Sequence, residues 1–254
     1  MTNAQTDISR FAQLLGRSNN TVFFTGAGIS TESGIPDFRS PGTGLWNQIK
    51  PIQFQDFVAL ESAREESWRR KFSNDVMTQA KPNAGHLAIA RWLKDFRSGG
   101  VITQNVDNLH QQSGLDDNQI VELHGNATYA SCLSCNTRYE LPQLKQQFEE
   151  TGAVAPCDRC QGLIKTATIS FGQSMPEAEM VRAQELVEAC DLMIVLGSSL
   201  TVYPAAGFPQ YAKQLGASLV IVNREPTDQD ELADIVIHEA IGQVMTDALN
   251  LLSH

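Results

Sequence analysis

No run of about 20 apolar residues, the length needed to cross a bilayer, occurs anywhere in the chain. The amino terminus, Met1-Thr2-Asn3-Ala4-Gln5-Thr6-Asp7, has no basic stretch followed by an apolar one. A soluble, cytoplasmic protein with no membrane partner is the expectation. Positive charge is also scarce, with 19 Lys and Arg against 29 Asp and Glu and a net charge of −10. Repulsion from a phosphate backbone follows, so direct nucleic-acid binding is not expected and basic partners such as lysine-bearing peptides are favoured. Repeats and low-complexity tracts are lacking. With 254 residues, 42% of them hydrophobic, the chain can fill one substantial core with a minor domain built into it, and a monomer is the expected state.

Cysteine is sparse, and four of the five residues fall in two close pairs, Cys132/Cys135 and Cys157/Cys160. Without a secretory signal a disulfide framework is the poorer explanation. Each C-x2-C pair offers two thiolates from one turn, and two pairs complete the tetrahedral sulfur shell of a structural zinc site, with a rubredoxin-like iron as the rival. The 21 residues between Cys135 and Cys157 accommodate a helix-like stretch from Leu141 to Glu150. Four thiolates leave no position for water, so one zinc per chain should hold structure and take no part in catalysis. Cys190 reads as a small buried hydrophobe.

Short apolar runs at Thr21 to Phe24, Val101 to Thr103, Leu192 to Leu196, Leu219 to Val222 and Ile235 to Ile237 alternate with stretches of helical period. Among the latter are Ile8, Phe11, Leu14 and Leu15, and Met180, Ala183, Val187 and Cys190. Asn83 is placed to cap the helix carrying Leu87, Ile89, Ala90 and Leu93. Strands this continuously apolar are covered on both faces, which predicts a Rossmann-like α/β fold: a parallel sheet with helices on both faces. Two segments break the alternation. The predicted division is therefore a Rossmann-like domain of residues 1–50, 81–128 and 165–254, and a small domain formed by a helical insertion at 51–80 with the four-cysteine module at 129–164.

The chemistry collects where strands end. Gly26-Ala27-Gly28-Ile29-Ser30 follows the first strand, where a glycine turn lets backbone N–H groups approach a pyrophosphate. The third glycine of the dinucleotide fingerprint is missing, since Thr31 stands in its place. A long loop, Ser33-Gly34-Ile35-Pro36-Asp37-Phe38-Arg39, has the composition of a ligand cover. The second strand runs into Thr103-Gln104-Asn105-Val106-Asp107-Asn108, whose amide and carboxylate suit a carboxamide such as that of nicotinamide, unless they serve only to cap the next helix. Val121-Glu122-Leu123-His124-Gly125 reads as a strand-like run ending in a histidine able to take a proton from a sugar hydroxyl. His86, His110, His238 and His254 have no comparable setting. Gly197-Ser198-Ser199 and Asn223-Arg224-Glu225 close two further strands, with small residues for phosphate and polar ones for ribose hydroxyls. All point toward one dinucleotide.

Taken in this order, the motifs from Gly26 to Arg39, Gln104 to Asp107, His124-Gly125, the cysteine pairs, Gly197 to Ser199 and Asn223 to Glu225 resemble the sirtuin family over nearly the whole chain. Residues Pro51 to Phe72 look most like its class II branch. The resemblance implies an NAD-dependent protein lysine deacylase. The acyl oxygen of an acylated lysine attacks C1′ of the nicotinamide ribose, nicotinamide departs, His124 acts as general base on a ribose hydroxyl, and O-acyl-ADP-ribose and free lysine result. It further implies a nicotinamide pocket of Ile35, Phe38, Asn105 and Asp107, and contacts to the rest of NAD from Ala27, Gly28, Ser30, Arg39, Ser198, Ser199, Asn223, Glu225 and Ile241. The peptide would lie extended between Phe171-Gly172-Gln173 and Thr201-Val202-Tyr203. Ser170 and Gln173 depart from the family pattern in the acyl-lysine channel and peptide-facing loop. The Tyr and Arg that grip acidic acyl groups are not matched by Ser67-Trp68-Arg69-Arg70-Lys71, so neutral acyl groups are expected. ADP-ribosyl transfer, NAD hydrolysis and a non-catalytic NAD-sensing module are the competing readings.

Overall fold

The computed structural model describes residues 3–37, 42, 44, 49–73, 76–95 and 98–252, with the side chains of residues 3 and 4 left aside. Six strands form a parallel sheet: β1 (Asn20–Thr25), β2 (Ser98–Thr103), β3 (Ile120–Glu122) and, after three strands that lie elsewhere, β7 (Leu192–Leu196), β8 (Ser218–Val222) and β9 (Ile235–Ile237). Their spatial order is β3-β2-β1-β7-β8-β9, every neighbouring pair parallel. The order reverses between β1 and β7, and the crevice outside such a switch point is where open α/β sheets bind ligands.

Both faces are covered, which is why these strands read as unbroken apolar runs; β7 is buried at all five positions. On one face, α1 (Asn3–Arg17), α5 (Ala84–Asp95) and α10 (Ile241–Leu252) pack Phe11, Leu15, Ile89, Trp92, Val244 and Met245 against Phe23, Ile194 and Val220. On the other, Ala183 and Val187 of α8 (Glu177–Ala189), with Phe208 and Ala212 of α9 (Gly207–Gln214), cover Val22, Phe24, Met193 and Ile221. Cys190 closes α8 half-buried rather than inside the core. The Asn83 cap is present: its Oδ1 accepts the Gly85 N–H at 2.9 Å.

The remaining strands, β4 (Gly125–Cys132), β5 (Arg138–Glu140) and β6 (Ile164–Thr168), form an antiparallel sheet in the order β5-β4-β6. Between residues 51 and 80 the chain forms α2 (Phe54–Ala59), α3 (Glu61–Ser73) and α4 (Val76–Gln79), and α7 (Leu141–Thr151) follows β5. Trp68 and Phe72 of α3, stacked at 5.3 Å, join Ala130, Cys132, Leu144, Phe148, Cys157 and Ile164 in one separate core. None of the helices described is long and apolar enough to cross a membrane.

Lys165 on β6 is buried, donating from Nζ to the carbonyl oxygens of Thr168 at 2.5 Å and Thr166 at 3.4 Å. Its burial pushes the ammonium down to about 8. The folded-state value lies below the unfolded one of about 10.4, so the charge opposes folding at neutral pH and this penalty is relieved as pH rises through 8 toward 10.4. Relative to Lys165→Met, the wild type should gain roughly 2 to 3 kcal/mol between pH 7 and pH 10. Denaturant titrations of both proteins at the two pH values check this, and a constant gap would contradict it.

Candidate active site

Four strand ends lie side by side: β2 delivers Gln104 to Asp107, β1 delivers Gly26 to Ser30, β7 delivers Gly197 to Ser199 and β8 delivers Asn223 to Glu225. At roughly 4.8 Å per strand they span about 14 Å of the sheet's carboxyl edge. The segment after β1 is a 3-10 helix, Ala27–Ser33, so the missing third glycine has a local cause: no α-helix packs there against the strand. The glycines present are required by the crossing of two loops. Gly28 N–H donates to Gly197 O at 2.8 Å, and a Cβ on Gly197, whose φ is +68°, would stand 2.3 Å from the Ile29 nitrogen.

Asn105 and Asp107 do more than cap a helix. Asn105 Nδ2 donates to Gly26 O and to Ser30 Oγ, both at 3.1 Å, and Ser30 Oγ donates to Asp107 Oδ2 at 2.7 Å. Asp107 Oδ1 accepts the Leu109 N–H at 3.0 Å, which starts α6 (Leu109–Gln112). Asn105 and Asp107 are 8% and 6% exposed, so an amide and a carboxylate stand nearly dry beside each other. Ile35 is buried against Leu109 and Ala80 in a small apolar cluster, which places it at the same loop. Asp37 is half-buried, and Phe38 and Arg39 lie outside the described residues.

His124 is in a turn, since β3 ends at Glu122 and β4 begins at Gly125; the strand-like run expected to end at the histidine stops two residues before it. Gly125 has a φ of +72° and a Cβ there would meet Ala167 O at 2.0 Å, which explains the glycine after the histidine. His124 Nδ1 lies 3.0 Å from Gln104 O. A carbonyl can only accept, so Nδ1 carries the hydrogen and Nε2 is the basic nitrogen. Burial pushes this imidazole below 6.5, opposed by that backbone bond. The Gln104 side chain donates to Ser198 Oγ at 2.8 Å, so one residue ties the histidine to the loop after β7.

Farther along the edge, Asn223 Nδ2 donates to Glu225 O at 2.7 Å and His238 Nδ1 to Asn223 O at 2.7 Å, while Arg224 and Glu225 are exposed. Ile241 opens α10, and the next residue's N–H donates to Glu32 Oε1 at 3.1 Å. Ser199 Oγ meets Thr201 Oγ1 at 3.0 Å.

Two histidines set aside in the sequence belong to the foundation of this site. His86 and His110 are buried with ring centres 5.0 Å apart. Burial holds His86 down to about 4 despite the Asp107 charge nearby, and His110 well below 6.5. The signal available was position: His110 falls three residues after Asp107 and His86 three after the Asn83 cap.

The four cysteine sulfurs lie within 4.8 Å of one another, with Cys132 to Cys160 at 3.4 Å and Cys135 to Cys157 at 3.6 Å. A tetrahedron with Zn–S bonds of about 2.3 Å has edges near 3.8 Å, so the spacing fits zinc and is far too long for a disulfide of about 2.05 Å. Thr137 Oγ1 sits 3.1 Å from Cys135 Sγ, a hydroxyl placed to donate to a thiolate, and Tyr139 Oη lies 3.1 Å from Cys157 Sγ, its single hydrogen shared with the nearer Asp158 carboxylate.

Residues 26–204 match the model of the Sir2 family. A protein from Rhodopseudomonas palustris named NAD-dependent protein deacetylase is 52% identical over 239 residues, 94% of each chain. Among solved structures, Sir2 with a p53 peptide and NAD+ is 35% identical, covers 97% of this chain and 98% of its own, and superposes with a TM-score of 0.86. A Sir2 variant with a deacetylated p53 peptide and 3'-O-acetyl ADP ribose is 36% identical, with a TM-score of 0.86 and coverage of 96% and 97%.

Proposed function

The chain belongs to the Sir2 family and is an NAD-dependent protein lysine deacylase, and we propose that His124 is its general base, with Asn105 and Asp107 orienting the group that leaves. NAD, when bound, supplies a ribose C1′ activated by its nicotinamide substituent. Asn105 and Asp107 present a nearly dry amide and carboxylate to the carboxamide, with Ile35 and Phe38 against the ring. Gln104 stands beside the histidine and holds Ser198; the turn at Gly26, Ala27 and Gly28 would take the pyrophosphate, the two glycines by allowing close approach since their own N–H groups go to Leu196 O and Gly197 O, together with Ser30, Arg39, Gly197 and Ser199, and Asn223, Arg224, Glu225 and the Ile241 backbone would take the adenosine half. Asp37 would add to the cofactor contacts of this loop.

The observation that carries this reading is the tautomer of His124, which leaves Nε2 free to accept a proton from a ribose hydroxyl. The peptide strand is proposed to lie between Phe171 and Tyr203, which are 41% and 64% exposed. The α2–α4 insertion and the cysteine module would act as one small body, held to the cleft where Phe54 N–H donates to Phe171 O at 2.9 Å. Neutral acyl groups are favoured. Arg69 and Arg70 are both engaged by Glu66, at 2.6 and 2.7 Å, and Trp68 is buried, so neither of these two arginines stands free for an acidic acyl chain.

Nicotinamide release should require an acyl-lysine peptide. Because the base works neutral and its pKa is lowered, kcat/KM should be level through neutral pH and fall with acid only below 6.5. Release from NAD without peptide, or an acid limb above pH 7, would contradict the assignment.

A further inference from the structure

Thr25 and Thr103 end adjacent parallel strands in register, and their hydroxyls meet: Thr25 Oγ1 donates to Thr103 Oγ1 at 2.8 Å. The same Thr103 oxygen accepts the Asn105 N–H at 3.0 Å. On the other side, His110 Nε2 lies 2.9 Å from Thr25 Oγ1. A hydroxyl has one hydrogen, and that of Thr25 goes to Thr103, so Thr25 must accept from His110, which fixes the neutral Nε2–H tautomer. Burial, which pushes His110 well below 6.5, agrees with an uncharged ring. All four residues are buried, between 0% and 8% exposed.

The topology of these bonds is a closed ring. The segment leaves the sheet at Thr103, passes Asn105 and Asp107, turns into α6 and returns through His110 and Thr25 to the same hydroxyl. We propose that Thr103 is a positioning residue of the nicotinamide pocket, its hydroxyl being the point at which both ends of segment 105–110 are tied to the sheet. The proposal rests on the assignment of Asn105 and Asp107 to that pocket. Thr103 itself touches no reactant. It acts by holding the Asn105 backbone, and through it the amide that bonds Gly26 O and Ser30 Oγ. A buried N–H and a buried hydroxyl that lose their partner cost enough to let the segment shift, and a pocket shaped around a small planar amide is sensitive to such a shift.

Calorimetric titration of zinc-loaded protein with NAD and with ADP-ribose, in the absence of peptide, separates this role from general stability, because ADP-ribose lacks the nicotinamide. Thr103→Val should weaken NAD about tenfold and leave ADP-ribose within about twofold, and Thr103→Ser should restore NAD binding. Thr25→Val, which cuts the ring on the His110 side, should show the same selective loss and serves if Thr103→Val does not fold. Asn105→Ala is the control for the underlying assignment. If it changes the NAD to ADP-ribose ratio while Thr103→Val and Thr25→Val do not, the positioning role is wrong; if it too leaves the ratio unchanged, the pocket assignment is wrong and the proposal falls with it. Equal weakening of both ligands by either threonine variant would mark a merely structural hydroxyl and overturn the proposal.

Discussion

His124→Ala should lower kcat for lysine deacylation by about 10²- to 10⁴-fold, the range that a positioned general base contributes. NAD affinity should change little, since the cofactor contacts proposed above lie on other residues. The separation matters because His124 is bound to Gln104 O and its own carbonyl accepts the Ile169 N–H at 2.8 Å, so the turn has structural ties as well. The backbone tie survives the substitution and the imidazole bond does not. Equilibrium binding of NAD, measured beside single-turnover rates, checks the split. A variant that loses NAD affinity in proportion to rate would show that the histidine holds the site together and would remove it as the base.

Removal of the metal should have an effect of similar size by a different route. The apolar core of the small body is built on two of the ligands, Cys132 and Cys157, packed with Trp68, Leu144 and Ile164. It shares no residue with the clusters on the two faces of the parallel sheet. Structural zinc contributes an apparent 10–16 kcal/mol in small zinc modules, roughly, and a core of this size cannot replace it. Cys157→Ser, or prolonged chelation, should release one zinc per chain, shift Trp68 emission to the red and abolish deacylation, because β4 begins beside His124 and β6 leads into the segment at Phe171 proposed to face the peptide. The parallel sheet should keep its helical circular dichroism. Metal analysis with fluorescence checks this. Full activity in a zinc-free protein with unchanged Trp68 emission would contradict it.

The parallel sheet was legible in the sequence because burial on both faces leaves runs such as Leu192 to Leu196 with no polar residue at all. The small sheet was not legible. The strand Gly125–Cys132 keeps no strict alternation of burial, slips register between Gly125 and Ala130, and draws mostly on Asn, Ala, Thr, Tyr and Ser, which carry little periodic signal. The strand-like run expected to end at His124 ends already at Glu122: apolar order continues through Leu123, whereas the backbone turns at Leu123 and His124. At the site, the residues proposed to face a ligand were visible as polar bursts at strand ends. The layer beneath was not: Thr103 opens one of these bursts, but the role proposed for it, with Thr25 and His110, comes from strand pairing and a loop that returns on itself, neither of which composition records.

The most direct test is the product balance of a single reaction. Purified zinc-loaded protein is incubated with NAD and an acetyl-lysine peptide, and mass spectrometry counts nicotinamide, free-lysine peptide and O-acetyl-ADP-ribose. The account predicts equal molar amounts of all three. Nicotinamide in excess, with the acetyl group still on the peptide, would contradict it and indicate that water or another nucleophile takes the ribose.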